Sequence, residues 1–346
     1  MQLNCPLPLD YEKIVLAHGG GGRMMQQLID NFIQPIFSND ILNQKHDSAI
    51  LDINQSKLAF TTDSYVINPL FFAGGDIGKL AVCGTLNDLS MSGAKPLYLS
   101  CGLIIEEGFP IKDLQAILQS MQASAKQAGV AFVTGDTKVV DKGKGDGLYI
   151  NTAGIGLVEN NISINSENIN IGDHIIVSSD LARHGIAVML QREGLNFENN
   201  ISSDCADLSG LVQSLIQAGV QLHCMRDLTR GGLASGLIEL ATASQHRFEI
   251  TESEIPVHDD VKSACEILGF DPLYIANEGC FVLFVPEASS AQVLTLLRQH
   301  KLGKQACIIG KVTDNANHKG IVSLKTAFGV SRVLDLFSGE QLPRIC

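Results

Sequence analysis

The nine cysteines and nine histidines of this chain include no C-x-x-C pair and no cluster at zinc-ligand spacing. Neither a structural zinc site nor a dithiol redox centre is therefore encoded. Charge is also scarce. Asp, Glu, Lys and Arg make up 18% of the residues, and the balance is acidic, with a net charge of −12. Non-specific nucleic-acid binding needs clustered Lys and Arg, so it is excluded, and anionic substrates would need metal ions to mediate. No apolar stretch approaches a membrane span. Pro6, Pro8, Asp10 and Glu12 interrupt any secretory-type apolar region near the start. The odd cysteine count, with Cys83 and Cys307 inside apolar runs, reads as reduced and buried thiols. These absences lead us to expect a cytoplasmic protein with neither membrane nor nucleic acid as a partner.

What remains is ample apolar material. With 346 residues, 45% of them hydrophobic, the chain has room for two domains with a sizeable core each, and low charge favours an oligomer. Apolar strands alternate with helical stretches twice over. The first half reads as a strand at 58–62, a helix from Asp76, a strand at 97–105, a helix at 111–128 and strands at 130–134 and 148–158. Residues 159–172, rich in Asn, Ser and Ile without helical period, read as a connection. The second half reads as a strand at 174–179, helices at 184–193 and 208–218, a strand at 221–225 and a helix after Gly231-Gly232. Residues 261–268, a strand at 280–285, a helix at 289–300 and closing strands to about Leu324 follow. Two halves of this kind predict an α+β protein of two α/β sandwich domains, not one doubly wound sheet. The expected domains are 1–160 and 161–334, with a flexible C-terminal tail over 335–346. Extended, that tail would reach roughly 35 Å at ~3.3 Å per residue.

Five aspartates fall where strands end or helices turn: Asp47, Asp63, Asp88, Asp136 and Asp227. Carboxylates so placed, with few basic neighbours, suit a hard cation such as Mg²⁺, which takes oxygen ligands and bridges phosphates. Asp88 is the oddest of them. On a helix from Asp76 it lies about 20° around the axis from Ile77, on the stripe of Ala81 and Gly84, and a carboxylate there must be paired or act as a ligand. Any one aspartate alone reads equally well as a cap or turn residue. His18-Gly19-Gly20-Gly21-Gly22-Arg23 ahead of a helical run over 24–33 forms a loop able to wrap phosphates, although it is not a Walker loop. Arg230-Gly231-Gly232 is a second such candidate. Lys138, two residues past Asp136, shares its side of an extended strand. It can neutralise charge on a phosphate or polarise a carbonyl. Glu278, at the mouth of an apolar strand, can serve as a base. A surface lysine and a turn-forming Asn-Glu-Gly are their plain alternatives. The chain stops at Cys346, a thiol with a long tether, whose α-carboxylate opposes thiolate formation and whose neighbour Arg344 offsets part of that effect.

Together these pieces resemble the PurM-like, AIR synthase-related ATP-binding superfamily. Its N-terminal core is matched by Thr61-Thr62-Asp63-Ser64, Gly78, Asn87-Asp88, Gly93-Ala94 and Pro96-Leu97. Its second-domain signature is matched by Arg226-Asp227-Leu228-Thr229-Arg230-Gly231-Gly232-Leu233. Within that superfamily, His18–Arg23, Gly135-Asp136-Thr137-Lys138, Asn277-Glu278-Gly279 and the ending Pro343-Arg344-Ile345-Cys346 are similar to the HypE family of hydrogenase maturation factors. The resemblance covers essentially the whole chain. It implies an ATP-binding and dimerisation domain over 1–160 and an AIR synthase-related domain over 161–334. It also implies an ATP-dependent dehydration of an S-carboxamide on Cys346 to a thiocyanate, for the iron of a nickel–iron hydrogenase. The cofactors implied are ATP and Mg²⁺. A HypF-type carbamoyltransferase is implied as donor, a HypC–HypD complex as cyanide acceptor, and a homodimer as the working form. The implied ATP-contacting residues are Gly19, Gly20, Gly21, Gly22, Asp63, Asp88, Asp136, Thr137 and Asn277. Asp47, Asp63, Asp88, Asp136 and Asp227 form the metal set, and Cys346, Lys138 and Glu278 the catalytic one, with the base left open between Lys138 and Glu278. Two other readings stand beside it. A small-molecule phosphotransferase of the same superfamily would want a reactive group near the N-terminus, where Cys5 has no glycine-rich loop immediately after it. A non-enzymatic nucleotide-binding scaffold would make five carboxylates and a lysine excessive.

Overall fold

The computed structural model describes residues 14, 18, 20, 22–53, 56–159, 161–194, 201–314, 320–337, 342 and 344–346. The glycine-rich stretch leads into an irregular helical run: α1 (Arg23–Leu28), π-type turns over Ile29–Ile33, and α2 (Gln34–Phe37). Pro35 stands in the first turn of α2, where it cannot donate an amide to the turn before it.

The first sheet contains β1 (Ala49–Ile53), β2 (Ser56–Tyr65), β5 (Lys95–Glu106), β6 (Ala131–Val140) and β7 (Leu148–Val158), and the short hairpin β3 (Phe71–Phe72) and β4 (Gly75–Asp76) lies apart. The order is β1-β2-β7-β5-β6, with β6 parallel to β5 and the other pairs antiparallel. Strict alternation makes the sheet two-faced. Along β7 the even residues are buried and the odd ones outward. Packed on the inner face are α3 (Ile77–Met91) and α4 (Ile111–Ala128). The Asp76 side chain starts α3, accepting from the amides of Gly78 at 2.7 Å and Lys79 at 3.1 Å. Nearly every residue of α3 is buried, because it lies between the first sheet and the second half of the chain.

The second sheet takes β8 (His174–Val177), β9 (Cys224–Asp227), β10 (Arg247–Thr251), β11 (Phe281–Val285), β12 (Cys307–Thr313), β13 (Ile321–Lys325) and β14 (Ser331–Val333). Their order is β14-β13-β10-β12-β8-β11-β9. Every side chain of β11 is buried, so both of its faces are covered. Phe281, Leu283 and Val285 join a core with α6 (Ser209–Gln217) and α9 (Glu287–Gln299). Val282 and Phe284 join the main core with α5 (Arg183–Arg192), α7 (Gly232–Ser244) and α8 (Asp259–Leu268). That main core runs without a break into the first half through α3.

The α+β expectation holds, and the helix at 111–128 and the strand at 148–158 have the bounds read from the sequence. The strand at 130–134 instead continues to Val140, and the strand placed at 221–225 begins at Cys224. β1, β10 and the β3–β4 hairpin were not anticipated; of these only β10, where buried Phe248 and Ile250 alternate with polar residues, carries a clear period. No helix among the described residues is long and apolar enough to cross a membrane.

Gly84 lets α3 approach β2: a β-carbon there would overlap the Tyr65 hydroxyl. We expect Gly84→Ala to lower stability by about 1–3 kcal/mol, as overpacked cores do. Urea denaturation checks this, and an unchanged midpoint would contradict the close approach.

Candidate active site

Odd-numbered residues of β2 face α3, so Thr61 and Asp63 point inward with buried Ala59 and Tyr65. Asp88 meets them from α3, accepting a hydrogen bond from the Thr61 hydroxyl at 2.9 Å. Asp227 arrives from the end of β9, and Asp47 from the segment just before β1. Arg226 sits among them, with its Nε 2.7 Å from Asp47 Oδ1 and an Nη 2.8 Å from Glu239. Glu278 comes from the turn before β11, and Arg230 from the turn before α7.

Glu278 is held by its own backbone. Its amide and that of Gly279 donate to the Asp204 carboxylate at 3.0–3.2 Å. A β-carbon at Gly279 would collide with the Asp204 carbonyl, so only glycine admits this approach. Asn277 anchors the turn on its other side. Its amide group donates to the carbonyls of Leu228 and Ile275 and accepts from the amide of Ala182. The expectation that Asn277 contacts nucleotide is therefore corrected: its polar atoms are spent on the backbone, and it is a tie between loops. Asn87 is a second tie, from α3 to the carbonyl of Ala206 and the amide of Leu208.

Burial and crowding set the electrostatics. Asp88 is held well above the ordinary carboxylate range by burial first, then by Asp227, Asp63 and Asp47. Burial likewise raises Asp63, against the pull of Arg230. It lifts Asp227 to about 6 against Arg226. For Asp47, burial pushes up and the Arg226 guanidinium pulls back. Glu278 is pushed well up by burial, then by Asp227 and Asp204, and both its carboxylate oxygens lack a partner. Asp47 and Asp227 each leave one buried oxygen unpartnered. Such oxygens fit a cation. Among the described residues no three His, Cys, Asp or Glu side chains converge on one metal position, so a Mg²⁺ ion here would need further oxygens, such as those of a phosphate.

The end of the tail is seated against this cluster. Ile345 pairs with Ile67 as an isolated bridge, and the amides of Val66 and Asn68 donate to an α-carboxylate oxygen of Cys346 and to the carbonyl of Arg344 at 3.2 Å each. Cys346 faces Arg230, whose guanidinium is held charged by Cys346 first and then by Asp63 and Glu278, against burial. Burial pushes the Cys346 thiol up, opposed by Arg230 and reinforced by Glu278, Asp63 and Asp227. The compensation assigned to Arg344 in the sequence is thus corrected. Arg344 pairs with Asp146, and Arg230 is the cation beside the thiol.

Other expected residues lie elsewhere. Asp136 and Lys138 share a side, as their spacing predicts, and pair with each other at 2.7 Å. That side is the outer face of the first sheet, because Asp136 stands beside Gly102 and Lys138 beside Ile104, opposite the face that carries Asp63. Within this chain they do not join the cluster. Thr137 is exposed on the edge strand β6. Gly22 precedes α1 and lines a cavity of about 380 Å³ with Arg226, Asp227 and Arg230. Gly20 is described without a site contact, and Gly19, Gly21 and Cys5 lie outside the described residues. Arg23 pairs with Asp335 at 2.5 Å. Sequence reasoning missed Asp204 and did not separate Asn87 or Arg226 from the motifs that contain them. Asp204 falls in an aperiodic stretch that gives no signal, whereas Arg226 stood in a quoted motif directly beside a carboxylate.

Residues 45–158 match the family described as AIR synthase related protein, N-terminal domain, and residues 170–323 the corresponding C-terminal domain family. The chain is 48% identical over 332 residues to the carbamoyl dehydratase HypE of Bradyrhizobium diazoefficiens, covering 96% of this chain and 95% of that protein. Among solved structures, it is similar to HypE in a HypE–HypF complex, with a TM-score of 0.85, 44% identity and coverage of 90% and 99% of the two chains. It is also similar to HypE in complex with ATP, with a TM-score of 0.82, 43% identity and coverage of 96% and 100%.

The crowded carboxylates imply a pH dependence. Asp88, Asp227 and Glu278 hold their protons to higher pH folded than unfolded, so each contribution to stability is lost as pH rises. His46 and His184, both lowered by burial to about 4, act oppositely up to the ordinary histidine value of 6.5. Above pH 6.5 Asp227, at about 6, is already ionised, and Asp88, Glu278 and Asp47, the last lifted to about 8, act alone. The melting temperature of the metal-free chain should fall between pH 6.5 and 8, Mg²⁺ should restore it, and Asp88→Asn should flatten the slope. A flat profile without a Mg²⁺ response would contradict a cation-seeking cluster.

Proposed function

The chain belongs to the HypE family of carbamoyl dehydratases, and from that premise we propose that it dehydrates a carboxamide carried on its own Cys346, using ATP. The observation that carries this reading is the seat of the terminal thiol, half-buried against Arg230 with Glu278, Asp63 and Asp227 facing it. A residue of no consequence would not be half-buried among charges, since that costs free energy unless function recovers it. The same seat disfavours a small-molecule phosphotransferase, whose substrate would compete with the tail for this position.

In the proposed reaction the carboxamide oxygen attacks the γ-phosphorus of ATP, and the bond from that phosphorus to ADP breaks. One N–H proton leaves as the oxygen is phosphorylated, and the second leaves as phosphate departs with the C–O bonding pair. The product is Cys346-S-C≡N, the cyanide source for hydrogenase iron. Phosphorylation turns a poor leaving group into a good one. Positioning and charge neutralisation supply most of the catalysis. Glu278 is our choice for the base. Burial makes its carboxylate, once ionised beside a bound cation, a stronger base than an exposed glutamate, and its two oxygens have no other partner. Arg230 would hold the loaded sulfur end in place. Mg²⁺, where bound, neutralises phosphate charge, and Asp47, Asp63, Asp88 and Asp227 are the residues that would hold it.

We further assign ATP binding and dimerisation to residues 1–160 and the AIR synthase-related half to 161–334, with 335–346 as the carrier tail. Homodimerisation is supported by the outer face of the first sheet, where Phe60, Tyr98, Ile104, Ile155 and Leu157 are exposed on one side. Asp136 and Lys138 share that face, so their action on the phosphates depends on a second copy covering it. A HypF-type carbamoyltransferase is the proposed donor, since a HypE of 44% identity forms a complex with HypF, and a HypC–HypD complex is the proposed acceptor. The free cysteines among the described residues suit the reducing cytoplasm.

Incubation with ATP, Mg²⁺, carbamoyl phosphate and the carbamoyltransferase, followed by intact mass, tests the reaction. The chain should gain a carbamoyl group and lose water only when ATP is present, and Cys346→Ala should gain nothing. An adduct on that variant would overturn the proposal. Glu278→Gln should bind ATP and stall at the carbamoylated state, with water loss slowed at least ~100-fold, and a wild-type rate would remove Glu278 from the base role. Light scattering should show Ile155→Asp to be monomeric, and a persisting dimer would place the interface elsewhere.

A further inference from the structure

His184 takes no part in the chemistry above, yet its side chain links the tail to the loop that carries Asp204. It is fully buried in the first turn of α5. Its Nε2 lies 2.8 Å from the Ile345 carbonyl oxygen and its Nδ1 2.8 Å from the Ser203 hydroxyl. The carbonyl can only accept, so Nε2 carries the proton. Burial lowers this imidazole to about 4, so the ring is neutral and Nδ1 accepts from Ser203. The Ser203 oxygen in turn accepts from the amide of Cys205 at 3.0 Å, which fills its capacity in one direction. Ser203 is pinned besides, its amide donating to the Ala73 carbonyl at 2.8 Å. The next residue is Asp204, the clamp on the amides of Glu278 and Gly279. The Phe72 ring packs edge-on against the imidazole with centroids 5.3 Å apart, which fixes its plane.

We propose that His184 is a positioning residue that couples the seating of the C-terminal tail to the placement of Glu278. With Ile345 seated, the ring is held in one tautomer and orientation, and Ser203 and Asp204 are held with it. With the tail withdrawn, Nε2–H loses its acceptor in a buried site. The ring then must turn to find another, which releases the Ser203 hydroxyl and slackens the clamp. The base is thus firmly placed only when the substrate-bearing tail is present. The link to catalysis rests on the proposed dehydration, but the mechanical link does not.

Two chemistry-independent readouts on the full chain test it: alkylation of Cys346 by iodoacetamide, and amide hydrogen exchange at Glu278 and Gly279. His184→Phe keeps a ring beside Phe72 and loses both hydrogen bonds. It should raise the alkylation rate at least 10-fold and speed exchange at both amides. His184→Gln, which retains a donor for Ile345, should recover most of the alkylation protection. Ser203→Ala should leave alkylation within twofold of wild type and still speed the exchange, which decides the coupling even if the phenylalanine variant folds poorly. On carbamoylated protein both His184→Phe and Ser203→Ala should lower kcat for water loss with little change in KM for ATP. Wild-type exchange at Glu278 in Ser203→Ala, or wild-type alkylation in His184→Phe, would overturn the proposal. If wild-type protein loses no water at all, the proposed reaction fails, and the exchange and alkylation results still judge the coupling alone.

Discussion

The repulsion among Asp63, Asp88, Asp227 and Glu278, buried together with few cations to offset it, is the constraint around which the molecule is arranged. Like charges in a poorly solvated space cost free energy, so these groups are driven toward protonation or toward a bound cation. Arg226 and Arg230 relieve part of that cost, the first by pairing with Asp47 and Glu239 and the second by facing the tail. The unpartnered oxygens of Asp47, Asp227 and Glu278 are what remains. The fold keeps the carboxylates together by brute packing: an α3 buried on nearly all sides, β2 at full alternation and a β11 without an exposed residue.

That packing also explains why the two halves cannot be treated as independent. Asn87 reaches from α3 to the 201–208 loop, Asn277 ties three backbone segments together, and Asp204 holds the turn that presents Glu278. Each contact joins an element of one half, or one loop, to another that supplies a carboxylate. The polar ties are fully satisfied, whereas the carboxylate oxygens aimed into the site are not. Rigidity is concentrated in the frame and unsatisfied valence in the centre, as a site preorganised for charge requires.

Much of the frame was legible because burial imposes a period. The buried stripe of α3 identified Asp88 as a misfit among small apolar residues, and the helix bears this out. The two-residue spacing of Asp136 and Lys138 correctly put them on one side of a strand. Which side could not be read, since β6 lies at an edge and both its faces carry exposed residues, leaving no apolar pattern to orient it. Asp204, Asn87 and His184 act through loops and backbone atoms, and neither leaves a period. Arg344 and Arg230 show a different limit. Proximity in sequence suggested the first as the cation beside the thiol, and long-range folding supplied the second.

The tail's seat is made chiefly of backbone. Val66 and Asn68 donate to its α-carboxylate and a carbonyl, His184 donates to another, and Arg192 grips the Arg344 carbonyl at 2.8 Å. None of these contacts touches the sulfur. Backbone binding of this kind is blind to cargo: bare thiol, carboxamide and thiocyanate all present the same handles to it. Any preference among the three states is therefore left to the groups around the sulfur, Arg230, Glu278 and Asp63, and to the irreversibility of ATP cleavage.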